Sequence, residues 1–448
     1  MMLQRFIDTF SKEAKGAGIT RLEFYIKECW GQTVQVYKQE VERLNISQET
    51  LVYVEGEFEG CKGSTFLENL STDASRISEH LGIIRQTAKY NKEPFLPRTY
   101  SAARPPVEDT APEFPSAELV AERLREAEQK AYDSDRRIDN VGSASHTTRR
   151  EKVLLLNGEG DALEDCVQYE QAVMSLVARD GTAVQSTYET RLGKAVGQKH
   201  LLSLAEQGAA KVVSQLMASP VKTGPYQVLL NNRLVCDLIL AFLPGLFADR
   251  VQKKMSVLEG RVGETITSSL FSLVEDPNLS EGIVTRNFDD EGTPTQAKSI
   301  IDQGRLTTFL HNLETARTFQ VQPTGNGFKS LYREAPAISA TNLCVPAGEH
   351  TDAELIQAMG SGLLITDCDG IFAGANPVSG DFSLIAKGYL IENGAVHRPV
   401  NQITIAGNFY EMLNGLSAVG SEYAAGGSLN GFIQTPSLLI SELFVSGT

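Results

Sequence analysis

The histidines are the first residues to consider for chemistry, because imidazole is the most common metal ligand among side chains. A zinc peptidase helix carries two histidines on one face, with a glutamate beside the first that deprotonates the metal-bound water. No histidine here precedes a glutamate, and no two are one helical turn apart. The six are His80, His146, His200, His311, His350 and His397. The sequence predicts no catalytic zinc in this chain, and His200 and His311 are interpreted as surface or hydrogen-bonded core residues.

An acidic triplet, Asp289-Asp290-Glu291, is followed directly by Gly292. Carboxylate oxygens suit magnesium or calcium. The spacing of Asp and Gly, however, lacks the full pattern of a calcium loop. The triplet is therefore predicted to be a charged turn rather than a metal site.

A serine lies between a valine and a glycine in the segment PVSGD, which ends in Ser379, Gly380 and Asp381. A nucleophilic serine needs a base within hydrogen-bond reach. The segment does not match G-x-S-x-G, and no histidine near it in the sequence is positioned to act as that base. A tight turn that orients a strand is the favoured interpretation.

The charge balance and the cysteines limit the class of protein. With 41 Lys plus Arg against 56 Asp plus Glu, the net charge is -15. Direct nucleic-acid binding is not expected, since it depends on cationic side chains that displace phosphate counterions. The six cysteines form no CxxC pair, as expected for reduced thiols in a cytoplasmic protein. No apolar run approaches the roughly 20 residues of a membrane span, so no membrane association is expected.

Four segments are predicted from the spacing of apolar residues and prolines. Residues 1–93 form an α+β segment of amphipathic helices and a strand meander with one wet face. Residues 94–115 carry six prolines and form an extended connector. Residues 116–218 form a second α+β segment that begins with a helix capped by Ser116. Residues 221–448 form a mostly antiparallel β-sheet or barrel-like domain, so the whole chain is α+β. The strands predicted there are 227–230, 282–286, 299–301, 363–366, 383–390 and 402–405.

Six short motifs occur in order along the C-terminal half. They are GIVTRNFDDEG at 282–292, IIDQGRL at 300–306, GSGLLIT at 360–366, PVSGDFS at 377–383, GYLIENG at 388–394 and ITIAGN at 403–408. This series resembles the TldD/PmbA family, once described as modulators of DNA gyrase, and especially its PmbA (TldE) branch. The resemblance covers most of the chain.

The resemblance implies a metalloprotease in which the TldD-type subunit carries His-Glu-x-x-x-His on a helix and the PmbA-type subunit lacks it. Alignment of segment 256–264 with the TldD-type pattern places the ligand positions at Ile239, Leu240 and Pro244, none of which can bind a metal. Pro244 also removes a backbone donor and is expected to kink a helix. Asp237, nearby, is expected to face solvent or to form an interface hydrogen bond. No cofactor is expected on this chain, and zinc is expected in a TldD-like partner.

The sequence therefore predicts a PmbA-like subunit that works with a TldD-like subunit, as a heterodimer, on unfolded and leader peptides. Candidate peptide-groove or interface residues are Asp289, Gly292, Ser379, Gly380 and Asp381. An exposed sheet edge would bind an extended peptide through main-chain hydrogen bonds. Two alternatives remain: a non-catalytic homodimer that binds peptides, and an enzyme whose chemistry has moved to Ser379, Asp381 or the Asp289 cluster.

Overall fold

The computed structural model describes residues 2–68, 70, 72–98, 100, 114–329, 335–428 and 431–448. The predicted α+β fold is confirmed: helices and strands mix in the N-terminal half, and a barrel and a second sheet form the C-terminal half. The predicted connector at 94–115 lies largely outside the described residues. In the described part, no helix is long and apolar enough to cross a bilayer.

Ten elements make up the described N-terminal half. They are α1 (Met2–Gly16), β1 (Leu22–Tyr37), β2 (Glu40–Phe58), β3 (Cys61–Leu67), α2 (Ala74–Asn91), α3 (Ala117–Ser134), β4 (Ile138–Asn157), β5 (Ala162–Asp180), β6 (Ala183–Gly193) and α4 (Gln198–Ser214). The helices follow the apolar spacing of the sequence, and α1 buries Phe6, Phe10 and Ala14 on one face. Helix α3 begins as predicted after Ser116, whose hydroxyl accepts a hydrogen bond from Leu119 N–H at 3.2 Å.

The six N-terminal strands form one antiparallel sheet in the order β3-β2-β1-β4-β5-β6. Segments 1–93 and 116–218 both contribute strands to it, and β1 pairs with β4. Alternate side chains of a strand point to opposite faces. Phe24 packs among the helices, whereas Tyr25 packs on the other face with Phe288 from the C-terminal half. The predicted wet face is therefore wrong for the first part of β1, because the C-terminal half covers it.

The described C-terminal half contains fourteen strands, with short helices between them. They are β7 (Gly224–Leu230), α5 (Asn232–Phe242), a 3-10 turn (Leu243–Leu246), α6 (Ala248–Gln252), β8 (Leu273–Glu275), β9 (Lys298–Asp302), β10 (Arg305–Leu306), α7 (Leu313–Phe319), β11 (Gly327–Phe328), β12 (Ala337–Ile338), β13 (Asn342–Cys344), α8 (Asp352–Met359), β14 (Gly362–Asp369), α9 (Ile371–Gly374), β15 (Asp381–Glu392), β16 (Ala395–Asn408), α10 (Phe409–Asn414), β17 (Leu416–Val419), β18 (Ala424–Ser428), β19 (Gly431–Thr435) and β20 (Leu438–Ser446).

Five of these strands close into a barrel in the order β16-β15-β14-β7-β20, because β20 also pairs with β16. Strand β17 adds to the outside of β20. A second sheet runs β10-β9-β8-β13-β19-β18. Most pairs in these two sheets are antiparallel, while β14 with β7 and β13 with β19 are parallel.

One predicted strand is wrong, because residues 282–286 form a loop. The side chain of Asn342 replaces the ladder that a neighbouring strand would provide. Its Oδ1 accepts from Val284 N–H at 2.9 Å, and its Nδ2 donates to Val284 O at 3.0 Å. Ile283 and Val284 are nevertheless buried. The apolar residues of this segment therefore indicate burial and not the pairing of a β-strand.

Helix α5 lies inside the C-terminal core. Most of its side chains belong to the same apolar cluster as the barrel interior. Phe242, at its last position, stacks on Phe409 with ring centroids 4.4 Å apart. The core thereby fixes the orientation of α5, the helix whose motif resembles a metal-binding helix.

Candidate functional site

Helix α5 has a defined start and an early end. Its start is capped by Asn231, whose side chain accepts from Arg233 N–H at 3.0 Å. The α-helix ends at Phe242, and Pro244 lies in the 3-10 turn that follows. This agrees with the effect expected of a proline, which cannot donate to the helical ladder.

The three positions that the sequence analysis predicts to correspond to metal ligands are occupied by apolar side chains. Ile239 is only 3% exposed and lies in the core cluster, and Leu240 packs against that cluster. Neither side chain has a donor atom for a metal, nor does Pro244. In the described part of the chain, no group of three or more His, Cys, Asp or Glu residues is placed to hold a metal ion. The residues present at α5 do not fit a catalytic zinc.

One face of α5 nevertheless leads to a cleft. Arg233, Asp237, Leu240 and Pro244 are three or four residues apart, which places them on one side of the helical path. The first two line a cleft of about 580 Å³ between the N-terminal sheet and the C-terminal half. Helix α4 and strands β6, β14 and β18 supply most of the remaining lining. Asp237 therefore faces this cleft, half-buried, and is not on the open surface.

Two strand edges border the cleft. Strand β6 is the last strand of the N-terminal sheet and β18 the last of the second sheet, so each has one edge without a described neighbour. The cleft is lined by residues 185–188 of β6 and 425–427 of β18, and by residues 175–177 of the neighbouring strand β5. The edges come together where Leu192 packs in one cluster with Ala425.

The backbone groups at the β6 edge can be identified. Thr190 O accepts from Arg233 Nη1 at 3.2 Å and thus points away from β5. In an antiparallel ladder, alternate residues direct both N–H and C=O to the same side. Ser186 and Tyr188 therefore also present their N–H and C=O groups toward the cleft.

Charged side chains cross the cleft from one half of the chain to the other. Lys211 Nζ on α4 lies 2.7 Å from Asp367 Oδ1 on β14 and 3.0 Å from Glu189 Oε1 on β6. Arg233 Nη1 lies 3.1 Å from the other oxygen of Glu189. Burial raises the pKa of Asp237, although Arg233 opposes the shift. The cleft therefore holds both cations and carboxylates.

Two buried polar atoms in this lining have no hydrogen-bond partner in the described structure: Gln215 Oε1 and Thr190 Oγ1. Buried polar groups are rarely left unpaired, so these two atoms are exceptions within the described residues. The one thiol in the lining, Cys368, is not activated, since burial raises its pKa to about 12. Cys368 is therefore not a nucleophile at neutral pH.

The segment with Ser379 lies at the other end of α5. A Cβ placed on Gly245 would be 3.1 Å from the carbonyl oxygen of Pro377. Asp381 accepts from Asn408 Nδ2 at 3.0 Å and begins β15. Gly380 has φ +86°, a conformation that favours glycine. This is the tight turn into a strand that the sequence predicted, and neither Ser379 nor Asp381 lines the cleft.

The acidic triplet is a turn as well, but a buried one. Asp289 accepts hydrogen bonds from Glu291 N–H (3.0 Å), Thr293 N–H (2.9 Å) and Gly327 N–H (2.8 Å). Burial raises the pKa of Asp289 despite these donors. Gly292 completes the turn with φ +84°. These residues hold the loop that carries Phe288 against the N-terminal sheet, and they do not line the cleft.

The sequence reasoning missed the ion-pair cluster of Lys211, Glu189, Arg233 and Asp367. Its members are far apart in the chain, so no local spacing brings them together. The available signal was Arg233 and Asp237 one turn apart in an otherwise apolar helix.

Comparison with known proteins agrees with this architecture. Residues 223–447 match the family model described as the PmbA/TldA metallopeptidase C-terminal domain. The chain belongs to the PmbA/TldD metallopeptidase family. It is 25% identical over 433 residues to a metalloprotease PmbA homolog from Haemophilus influenzae, covering 95% of this chain and 92% of that protein.

Two solved structures share the fold over almost the whole chain. A candidate modulator of a DNA gyrase from Thermotoga maritima has a TM-score of 0.88 at 27% identity, covering 99% of this chain and 100% of that one. TldE from Thermococcus kodakarensis has a TM-score of 0.85 at 20% identity and 100% coverage of both chains. The second likeness concerns the fold alone.

Proposed function

We propose that this chain is the zinc-free, PmbA-like subunit of a TldD/PmbA-type peptidase. It holds unfolded and leader peptides, while a TldD-like partner supplies the zinc ion and the glutamate base. The observation that carries the proposal is the face of α5, which offers Leu240 and Pro244 at ligand positions yet borders a cleft between two free strand edges. All metal chemistry would thus belong to the partner.

Peptide binding would use the free edges of β6 and β18. Neighbouring strands lie about 4.8 Å apart, so an extended peptide between the two edges would pair with either through its main chain. Such pairing does not depend on side-chain identity. Ser186 and Tyr188 would supply the hydrogen-bonding groups of β6, and the mixed charges of Lys211 and Asp237 would accept peptides of varied composition.

The proposal is tested by peptidase activity on an unfolded peptide. This chain, a TldD-like partner and their mixture are each assayed with and without a chelator. We expect activity in the mixture to exceed that of the partner alone and to be abolished by the chelator. Activity of this chain alone that survives the chelator would overturn the proposal and favour relocated chemistry at Ser379, Asp381 or the Asp289 cluster.

The cleft itself is tested by proline substitution at the β6 edge. S186P removes one N–H that faces the cleft and spares the ladder to β5, because proline is tolerated at a free edge. A lost hydrogen bond contributes about 1 kcal/mol, so affinity for an unfolded peptide should fall about 5-fold in an anisotropy titration. The matched control is I46P on strand β2, outside the cleft. Equal affinities of S186P and the wild type would exclude β6 as the peptide site.

The alternative, a homodimer that binds peptides without cutting them, makes the same use of the cleft. The assay of the mixture distinguishes the two proposals. The homodimer would be favoured if this chain binds the peptide but its addition to the TldD-like partner does not increase hydrolysis.

A further inference from the structure

Asp237 is the one carboxylate in the cleft lining that forms neither a hydrogen bond nor an ion pair within the described residues. It lies in the middle of α5 and is half-buried. Arg233, one turn earlier, is bonded to Glu189 instead, with Nη1 3.1 Å from the carboxylate oxygen. A carboxylate that has lost part of its hydration is stabilised when a charged donor binds it. Asp237 therefore has an unused capacity to accept hydrogen bonds from a ligand.

The other cations of the cleft lining are held by carboxylates of their own. Lys211 Nζ lies 2.7 Å from Asp367 Oδ1, and Lys387 Nζ lies 2.8 Å from Asp369 Oδ2. Moving either lysine to Asp237 would leave another carboxylate without its cation, so nothing would be gained. Within the described residues the cleft thus has no spare cation for Asp237, and a counter-ion would come from outside the chain.

Strand β18 places its free edge beside this carboxylate. Helix α5 packs on one face of the strand, because a Cβ on Gly426 would lie 3.0 Å from Cβ of Cys236 and 4.0 Å from Oδ1 of Asp237. The neighbouring residue, Ala425, points to the opposite face, where it packs with Leu192. Since residue 426 has no side chain, β18 leaves the carboxylate uncovered at this position.

A peptide that adds to the β18 edge presents every second side chain to α5. Residues directly opposite each other in a ladder point to the same face, with their Cβ atoms about 5 Å apart. The peptide residue opposite Gly426 therefore directs its side chain toward α5, and its Cβ lies at most about 9 Å from Oδ1 of Asp237. Lysine and arginine carry their charge at the end of a long side chain that can cross such a gap.

We propose that Asp237 makes the cleft selective for unfolded peptides that contain lysine or arginine, by binding the cationic side chain opposite Gly426. This inference rests on the proposed peptide site and adds the class of peptide that the site favours. Main-chain pairing still admits peptides of varied composition, and Asp237 ranks them by charge. A peptide with only neutral or acidic side chains leaves Asp237 unpaired and binds less tightly.

The test is an anisotropy titration of the full chain with labelled unfolded peptides that differ at one central residue. That residue is lysine, norleucine or 2,4-diaminobutyrate. Norleucine keeps the length of the lysine side chain without its charge, whereas diaminobutyrate keeps the charge on a shorter side chain. We expect the lysine peptide to bind about 10-fold more tightly than either of the others. The short cation is needed because a chain with a net charge of -15 attracts any cationic peptide at long range.

The variant D237N tests the residue itself. It keeps the shape of the side chain and removes the charge, so the lysine peptide should bind no more tightly than the norleucine peptide, whose own affinity should not change. The matched control is D352N, which alters another half-buried aspartate, on α8 and outside the cleft lining. D352N should keep the preference for lysine, and both variants should have the circular dichroism of the wild type.

Three results would overturn the inference and leave the proposed peptide site in place. They are equal binding of the lysine and norleucine peptides, equal binding of the lysine and diaminobutyrate peptides, and a preference for lysine that persists in D237N. If none of the peptides binds to the wild type, the proposed peptide site fails together with the inference.

Discussion

The burial of His311 predicts a specific loss of stability in acid. Its side chain is 4% exposed and meets Phe319 edge-on, with ring centroids 5.4 Å apart. Its Nδ1 atom is buried with no hydrogen-bond partner in the described structure. Burial removes hydration from the imidazolium form and so lowers the pKa of His311 from 6.5 to about 4. The interpretation as a hydrogen-bonded core residue is thus wrong for its side chain.

The direction of the change in stability with pH follows from proton binding by His311. The unfolded chain takes up a proton near pH 6.5 and the folded chain only near pH 4. The stability associated with neutral His311 is therefore complete above pH 6.5 and is lost as the pH falls toward 4. At pH 5 the linkage relation gives a loss of about 2 kcal/mol. Relaxation of the protein and water penetration around a buried charge lower the effective penalty, so we expect a loss of about 1 to 2 kcal/mol.

The assay compares the thermal unfolding of wild type and H311F at pH 7.5 and pH 5. Phenylalanine does not titrate and suits the contact with Phe319. Burial raises the pKa of Asp289 and Glu291, which gives a stability term of opposite sign, but both proteins carry it. The melting temperature of the wild type should fall about 1 to 2 °C further than that of H311F between the two pH values. Equal losses would refute the assignment to His311.

Three further substitutions test the packing around the cleft and the second sheet. K211M should lower the free energy of unfolding by about 1 to 2 kcal/mol, because Glu189 keeps its ion pair with Arg233. Thermal unfolding at low and high salt measures this loss. A loss that does not change with salt would contradict the prediction. K298M should lower the free energy of unfolding by about 3 kcal/mol in the same assay, because it leaves the fully buried Glu275 without its cation. A loss no larger than that of K211M would contradict this prediction. G426V should lower the free energy of unfolding by about 1 to 3 kcal/mol, because a Cβ at residue 426 would lie 3.0 Å from Cβ of Cys236 on α5. Hydrogen exchange should show faster exchange of the β18 amides. Unchanged protection of these amides would contradict the prediction.

Local chemistry made part of the fold predictable. The cap at Ser116 and the apolar spacing of α1 depend on residues within a few positions of one another, and both are confirmed. The turn at Gly380 was likewise readable, because a positive φ favours a short list of residues. The structure of residues 282–286 was not predictable in this way, because a buried loop and a buried strand can have the same run of apolar residues.

The cleft could not be predicted, because its parts come together only in the folded chain. Lys211 and Asp367 are joined across the two halves of the chain. Nothing in the sequence near either residue specifies the other. Asp237 was open to two interpretations for the same reason: a half-buried aspartate and a solvated one look alike in a helical pattern.

The closure of the barrel has a consequence for synthesis. The N-terminal sheet has all its strands once β6 has left the ribosome, and it can pair before the remaining chain is made. The barrel cannot close before the remaining chain is made, because its first strand, β7, and β16 both pair with β20. During translation β7 therefore waits, with an open edge, for a strand made more than 200 residues later. A ribosome stalled before Leu438 would display an incomplete barrel and is the point at which a chaperone is most needed.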